Sequence, residues 1–164
     1  MYSAYEFVTS VQVPGIRRVK GLELNYAQQL TFLPERFRGI GVFATYSRFN
    51  SHSRPLNFVP QNATGGISYR YLRFNASIAG TWTDKVQIGN ALTSTLNRGD
   101  VQYLKARVIT DINLGFKLTK HLDLYLSGRN ALNEGKNWYF LSDGRMQQKE
   151  RYGGQWNLGI KGHY

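Results

Sequence analysis

Apolar and polar residues alternate with a period of two along most of this chain and almost nowhere recur at helical spacing. From Leu104 to Leu118 the even positions read Leu, Ala, Val, Thr, Ile, Leu, Phe, Leu, and the odd ones Lys, Arg, Ile, Asp, Asn, Gly, Lys. Leu72, Phe74, Ala76, Ile78 and Trp82 alternate in the same way with Arg73, Asn75, Ser77 and Thr81. So do Leu22, Leu24, Tyr26, Leu30 and Phe32 with Glu23, Asn25, Gln29 and Thr31. Weaker versions run through Ile40 to Tyr46, Ile67 to Tyr71 and Leu122 to Leu126, and the last residues set Trp156, Leu158, Ile160 and Tyr164 against Gln155, Asn157, Lys161 and His163. With a further strand near Tyr5 to Val13, the pattern predicts about eight antiparallel strands, each with one apolar and one polar face. No linker or shift of composition divides them into domains.

The connections alternate in length. Tight turns are expected at Pro34 to Gly39, Tyr71 to Leu72 and Thr119 to His121; long polar loops at Arg48 to Thr64, Lys85 to Gln102 and Ala131 to Lys149. An up-and-down meander with short turns at one end and long loops at the other has the asymmetry of outer-membrane β-barrels, whose short turns are periplasmic. Tyr164 then falls at the periplasmic rim. Parity also sets one register. Even residues are apolar on both sides of Thr119 to His121, so opposed residues must sum to an even number. A three-residue loop opposes Leu114 to Leu126, Phe116 to Leu124, Lys117 to Asp123 and Asp111 to Arg129, placing two opposite-charge pairs on the polar face.

A soluble sandwich or lipocalin-like barrel would alternate too, with its apolar face filling a core. Two features favour the membrane. Tyr26, Tyr46, Tyr69, Tyr71, Trp82, Tyr152, Trp156 and Tyr164 sit towards strand ends on the apolar parity, as interfacial girdles do, and Leu104 to Leu118 is long for a soluble strand. Composition agrees, since 14% aromatics and 17 glycines against 4 prolines suit strands. No stretch approaches the roughly 18 to 20 apolar residues of a membrane helix. The N-terminus lacks the basic start and apolar core of a signal peptide, so the chain is expected to be cytoplasmic, already processed or a fragment.

Candidate chemistry is sparse. The chain has no cysteine, which removes disulfides, thiolate metal sites and cysteine nucleophiles. His52, His121 and His163 are far apart and none shows ligand spacing. No metal or cofactor is expected, nor an enzyme: the Ser-Gly stretches match no nucleophile elbow, and the "GIGVF" glycines suit sheet curvature or neighbouring aromatics better than a phosphate loop. Asp111, Asp123 and Glu23 read as paired structural charges before they read as a carboxylate site. A formal charge of +11 invites an anionic partner. Nucleic acid is disfavoured, because Arg73, Lys105, Arg107, Lys117 and Lys161 have the opposite parity to Phe74, Phe116, Trp156 and Tyr164, whereas stacking platforms put both on one face.

Two longer stretches carry a resemblance. "VKGLELNYAQQLTFLPERFRGIGVFATYS" (Val19 to Ser47) resembles late barrel strands of TonB-dependent receptors, with their Gly-Leu-Glu strand, Leu-Pro turn and Arg-Gly/Phe-Ala strand. "DINLGFKLTKHLDLYLSGRNALNEGK" (Asp111 to Lys136) is similar to that family's penultimate hairpin, and the ending resembles its last strand, which usually closes in Phe. The resemblance implies that residues 1–164 are the C-terminal part of a barrel of about 22 strands, with the plug domain and the TonB-contacting box outside the chain. It further implies uptake of a scarce ligand across the outer membrane, energised through TonB. By themselves the residues leave open a self-contained eight-stranded barrel with a structural or adhesion role, closed by pairing the strand near Tyr5 to Val13 with the last.

The expected partners are outer-membrane lipid and lipopolysaccharide, the barrel assembly machinery, TonB through the part outside the chain, and a small-molecule ligand. Trp156, Leu158, Ile160 and Tyr164 form the expected assembly signal. The long-loop end is basic: Arg17, Arg18 and Lys20, then Arg48, His52 and Arg54, then Arg129, Lys136, Arg145, Lys149 and Arg151 against Glu134, Asp143 and Glu150. An anionic iron chelate such as a ferric siderophore is the favoured ligand, with Arg54, Trp138, Tyr139 and Arg145 as its contacts. Lipopolysaccharide phosphates are the competing use of the same charge.

Overall fold

The computed structural model describes residues 18–51, 57–90, 101–140 and 144–162. The strand expected near Tyr5 to Val13, and Arg17, His52, Arg54, Asp143, His163 and Tyr164, lie outside them. The described strands are β1 (Val19–Gln29), β2 (Ile40–Ser51), β3 (Gln61–Tyr71), β4 (Phe74–Thr83), β5 (Val86–Asn90), β6 (Val101–Leu104), β7 (Arg107–Lys117), β8 (Leu122–Arg129), β9 (Lys136–Phe140), β10 (Met146–Glu150) and β11 (Gln155–Gly162). One 3-10 turn, Glu35–Phe37, lies between β1 and β2. All pairings are antiparallel. Seven strands form a sheet in the order β1-β2-β3-β4-β7-β8-β11, and four form a second sheet in the order β10-β9-β6-β5.

The ladder registers put the apolar parity of all seven strands of the larger sheet on one face. One row across it is Ile40, Tyr69, Ala76, Leu114, Leu126 and Leu158; the next is Tyr71, Phe74, Phe116, Leu124 and Ile160. Towards the other end run Val42, Ile67, Ile78 and Ile112, and then Leu24, Tyr46, Ala63, Trp82 and Val108. The band is bounded by Tyr46 and Trp82 at one end and by Tyr69, Tyr71 and Phe74 at the other, where the Tyr69 ring stacks 6.3 Å from Tyr71. The Tyr69 hydroxyl donates to the carbonyl of Arg36, and Tyr46 donates to Gln61 Oε1 at 2.7 Å, so each ring lies on apolar surface and each hydroxyl on a polar end. Five of its strands have 10 to 12 residues, enough for a tilted membrane strand, which requires about 9 to 11, and β8 and β11 have 8 each among the described residues.

The opposite face is polar and bonded across strands. Thr64 and Thr81 hydroxyls meet at 3.2 Å, and Asn113 Nδ2 donates to Ser77 Oγ at 3.4 Å, each between direct ladder partners. Asp123 lies between Lys117 on β7 and Lys161 on β11. Aromatics on this face lie over glycines: Phe43 over Gly66, Phe49 over Gly21 and Tyr125 over Gly159, where a Cβ would come within about 2.5 to 2.6 Å of the ring. Trp156 covers Gly128 in the same manner on the apolar face.

Among the described residues the one buried hydrophobic side chain is Val86, which is not in this sheet. Leu24, Ile78 and Ile160 are 56%, 47% and 65% exposed. A soluble sandwich would have buried that face, at roughly 1.5 to 3 kcal/mol per large aliphatic side chain. Here the face is continuous over seven strands, and an extended exposed apolar face of this kind marks an interaction surface. Such a face suits hydrocarbon. Among the described residues the sheet is open, with β1 and β11 at its edges.

Several expectations are corrected. The stretch Leu104 to Leu118 is two strands broken at Lys105 and Ala106, hidden in sequence because Leu104 and Ala106 keep the apolar parity across the break. Lys85 to Gln102 and Ala131 to Lys149 are not simple loops, since β5, β6, β9 and β10 arise in or from them. Leu72 and Arg73 are turn residues, Leu30 and Phe32 follow the end of β1, and Tyr152 lies between β10 and β11. The three-residue loop is correct: Leu114 faces Leu126, Phe116 faces Leu124 and Lys117 faces Asp123, with Leu118 N donating to Leu122 O. Asp111 does not face Arg129. The β7–β8 ladder stops at Ile112 and Gly128, and Arg129 pairs with Gln155.

Candidate functional site

At the long-loop end, four wall strands pause at one level and resume as the smaller sheet. β4 passes to β5 through Asp84 and Lys85, β6 to β7 through Lys105 and Ala106, β8 to β9 through residues 130–135, and β10 to β11 through residues 151–154. The order β5-β6-β9-β10 repeats β4-β7-β8-β11. The pause is built from short polar side chains. Asn130 and Asn133 have φ values of 49° and 53°, the left-handed region that asparagine tolerates better than most residues. The Asn130 amide donates to the Glu134 carbonyl and accepts from the Glu134 N–H, both at 2.9 Å. The Asp111 carboxylate accepts from Asn130 N, Ala131 N donates to Thr110 O, and Asn133 Oδ1 accepts from Gly153 N. Asp111 therefore caps a turn.

The smaller sheet carries aromatics and cations. Tyr103 and Tyr139 are ladder partners with rings 6.0 Å apart, and Lys85 Nζ stands 5.7 Å from the Tyr103 centroid. Met146 pairs with Tyr139 and is exposed. Leu104, Trp138 and Gln148 form the adjacent row, on the other face. Near the junction, Lys136 Nζ lies 5.5 Å over the Tyr152 ring, and Glu150 accepts from both Tyr152 and Gln148. Contacts of this kind contribute about 0.5 to 1 kcal/mol at exposed sites. They also hold Lys85 and Lys136 in place. Lys85, Lys105 and Arg107 stand around the first break against Asp84, and Lys136, Arg145, Lys149 and Arg151 around the second against Glu134 and Glu150.

The expected ligand contacts are only partly brought together. Trp138 and Tyr139 are consecutive in β9 and project from opposite faces, so one ligand on one face meets one or the other. Arg145 immediately precedes β10, opposite the end of β9, and Arg54 lies outside the described residues. Tyr103 and Lys85 were missed, and Tyr152, expected in the girdle, lies instead under Lys136. A signal existed in the short apolar-polar runs "KVQIG" and "VQYLK", five residues each and easily read as loop. Of the expected assembly signal, Trp156, Leu158 and Ile160 share the apolar face of the edge strand β11, and Tyr164 is outside the described residues. Asp111, Asp123 and Glu23 are not gathered; among the described residues no cluster of His, Asp and Glu could hold a metal.

A single antiparallel layer with strands of membrane length, an apolar band ending in aromatics and a polar extension at one end defines the wall and mouth of a membrane β-barrel. A family model described as TonB dependent receptor-like, beta-barrel, matches residues 3–131, and the chain belongs to that family. It is a barrel portion of a TonB-dependent receptor, from a family of bacterial outer-membrane receptors and transporters and not of enzymes. No curated protein and no solved structure matches it.

Proposed function

We propose that the chain forms the closing wall and part of the mouth of an uptake receptor, and that the mouth receives an anionic ligand, an iron chelate being the leading candidate. The observation that carries this reading is the smaller sheet, which raises Tyr103, Tyr139 and Lys85 above the wall among a surplus of cations. Guanidinium and ammonium groups concentrate an anion, and an aromatic plate offers it a face. In this reading residues 1–164 are the C-terminal part of the receptor, and the plug and the TonB-contacting segment lie elsewhere in it. Lys20 and Arg48, on the apolar parity near the long-loop end, serve lipopolysaccharide phosphates instead.

Arg54→Glu with Arg145→Glu in the receptor should weaken binding of a ferric tricarboxylate or catecholate chelate about tenfold at low salt. The loss should shrink near 1 M salt, where screening shortens to about 3 Å. Unchanged affinity at low salt removes these two residues as contacts; tight binding of a neutral sugar with no anionic chelate bound removes the anion. The barrel assembly machinery is proposed to read Trp156, Leu158, Ile160 and Tyr164 as an edge-strand signal. Deleting Tyr164 should then lower the amount of assembled protein far more than Tyr46→Ala does, and equal losses would reduce both residues to lipid contacts.

A further inference from the structure

The short-turn end of the wall combines features that water does not favour. Leu72, the first residue of the two-residue turn between β3 and β4, is 84% exposed and has φ 52°, a conformation leucine rarely adopts. Beside it Tyr71, Leu72, Arg73, Phe74 and Phe116 line an almost wholly apolar groove of about 560 Å³ on the apolar face. Arg73 also borders a second hollow of about 540 Å³, of mixed surface, which Lys117, Thr119, Lys120 and Asp123 line as well. One guanidinium thus stands between an apolar slot and a cationic one. Charge across this end is one-sided: residues 34–39, 70–74 and 117–123 hold Arg36, Arg38, Arg70, Arg73, Lys117 and Lys120 against Glu35 and Asp123.

We propose that this rim binds an anionic glycerophospholipid of the periplasmic leaflet, with an acyl chain along Leu72, Phe74 and Phe116 and the phosphate against Arg73 and Lys120. The inference rests on the outer-membrane reading and goes beyond it. An acyl chain gives the exposed leucine the contact that water cannot, and a phosphate at the edge of hydrocarbon is where arginine forms two strong hydrogen bonds. Lys120, at the tip of the β7–β8 turn, reaches the headgroup layer on its flexible stem. The net positive rim supplies selectivity for a headgroup that keeps a negative charge.

The test uses protein extracted from outer membranes in detergent, stripped of lipid and offered phosphatidylglycerol or phosphatidylcholine of the same acyl chains. Native mass spectrometry should show phosphatidylglycerol retained roughly thirtyfold better at low salt, two cations acting near the surface. Arg73→Gln with Lys120→Gln should bring it to the phosphatidylcholine level, while Leu72→Gly should lower retention of both lipids and keep the preference. Heat-modifiable gel migration checks that each variant is folded. Should the double variant fail that check, the fluorescence added by Leu72→Trp should still be quenched by phosphatidylglycerol with brominated acyl chains. Equal retention of the two lipids, a preference surviving the double substitution, no quenching, or a preference for lipid A over phosphatidylglycerol would each overturn the proposal. Native protein staying soluble without detergent would overturn the membrane reading itself, whereas protein that needs detergent but shows no headgroup preference overturns this proposal alone.

Discussion

The wall strands β4, β7, β8 and β11 and their continuations β5, β6, β9 and β10 share one strand order and one antiparallel pattern, yet they are written for different solvents. Phe74, Ala76, Ile78, Gly80 and Trp82 alternate with Asn75, Ser77, Ala79, Thr81 and Thr83 along β4. β10 reads Met-Gln-Gln-Lys-Glu, and β9 sets Lys136 and Asn137 before its aromatics. Hydrocarbon demands strict segregation because a polar group without a partner costs several kcal/mol there. Water tolerates both kinds of residue on both faces, and register is then held by local devices such as the Asn130 bracket and the Tyr103–Tyr139 pair. A membrane strand is specified by its solvent, and an extension by its turns.

The sharpest way to break this comparison is one charge placed in both regions. Ile112→Arg, between Ile78 and Gly128 on the apolar face, should destabilise the folded barrel by about 2 to 4 kcal/mol. Asn113→Arg on the polar face and Gln148→Arg in the extension should each change stability by less than about 0.5 kcal/mol, as measured by urea unfolding in lipid vesicles. Comparable losses at all three sites would erase the distinction. A smaller effect is expected at the junction. Asn130→Ala removes two hydrogen bonds at a left-handed position and should cost about 1 to 3 kcal/mol locally. Limited proteolysis should then cut residues 130–154 sooner, while the wall keeps its heat-modifiable migration. Loss of the wall as well would mean that the two regions fold as one unit.

What the sequence made legible follows the same division. The β7–β8 register could be derived because hydrocarbon fixes the parity of Leu114, Phe116, Leu124 and Leu126, and Lys117 with Asp123 confirms it on the polar face. The Asp111–Arg129 pairing failed because it extrapolated that ladder past its end, where Asp111 turns to the Asn130 N–H. The break after Leu104 was invisible to parity. β9 and β10 were missed because strands in water need no long alternating run, and the candidate contacts Trp138 and Tyr139 were read as loop neighbours when a strand sends them to opposite faces. The site was thus less legible than the wall that carries it.

The central claim, that one face of the seven-stranded sheet meets lipid and the other water, can be tested along a single strand. The chain has no native cysteine, so one spin label at a time can be placed at each position from 74 to 83 of the protein in lipid bilayers. Accessibility to oxygen should peak at 74, 76, 78, 80 and 82, and accessibility to a water-soluble nickel complex at the positions between. Two profiles rising and falling together, or nickel reaching positions 76 and 78 as readily as 77, would contradict it.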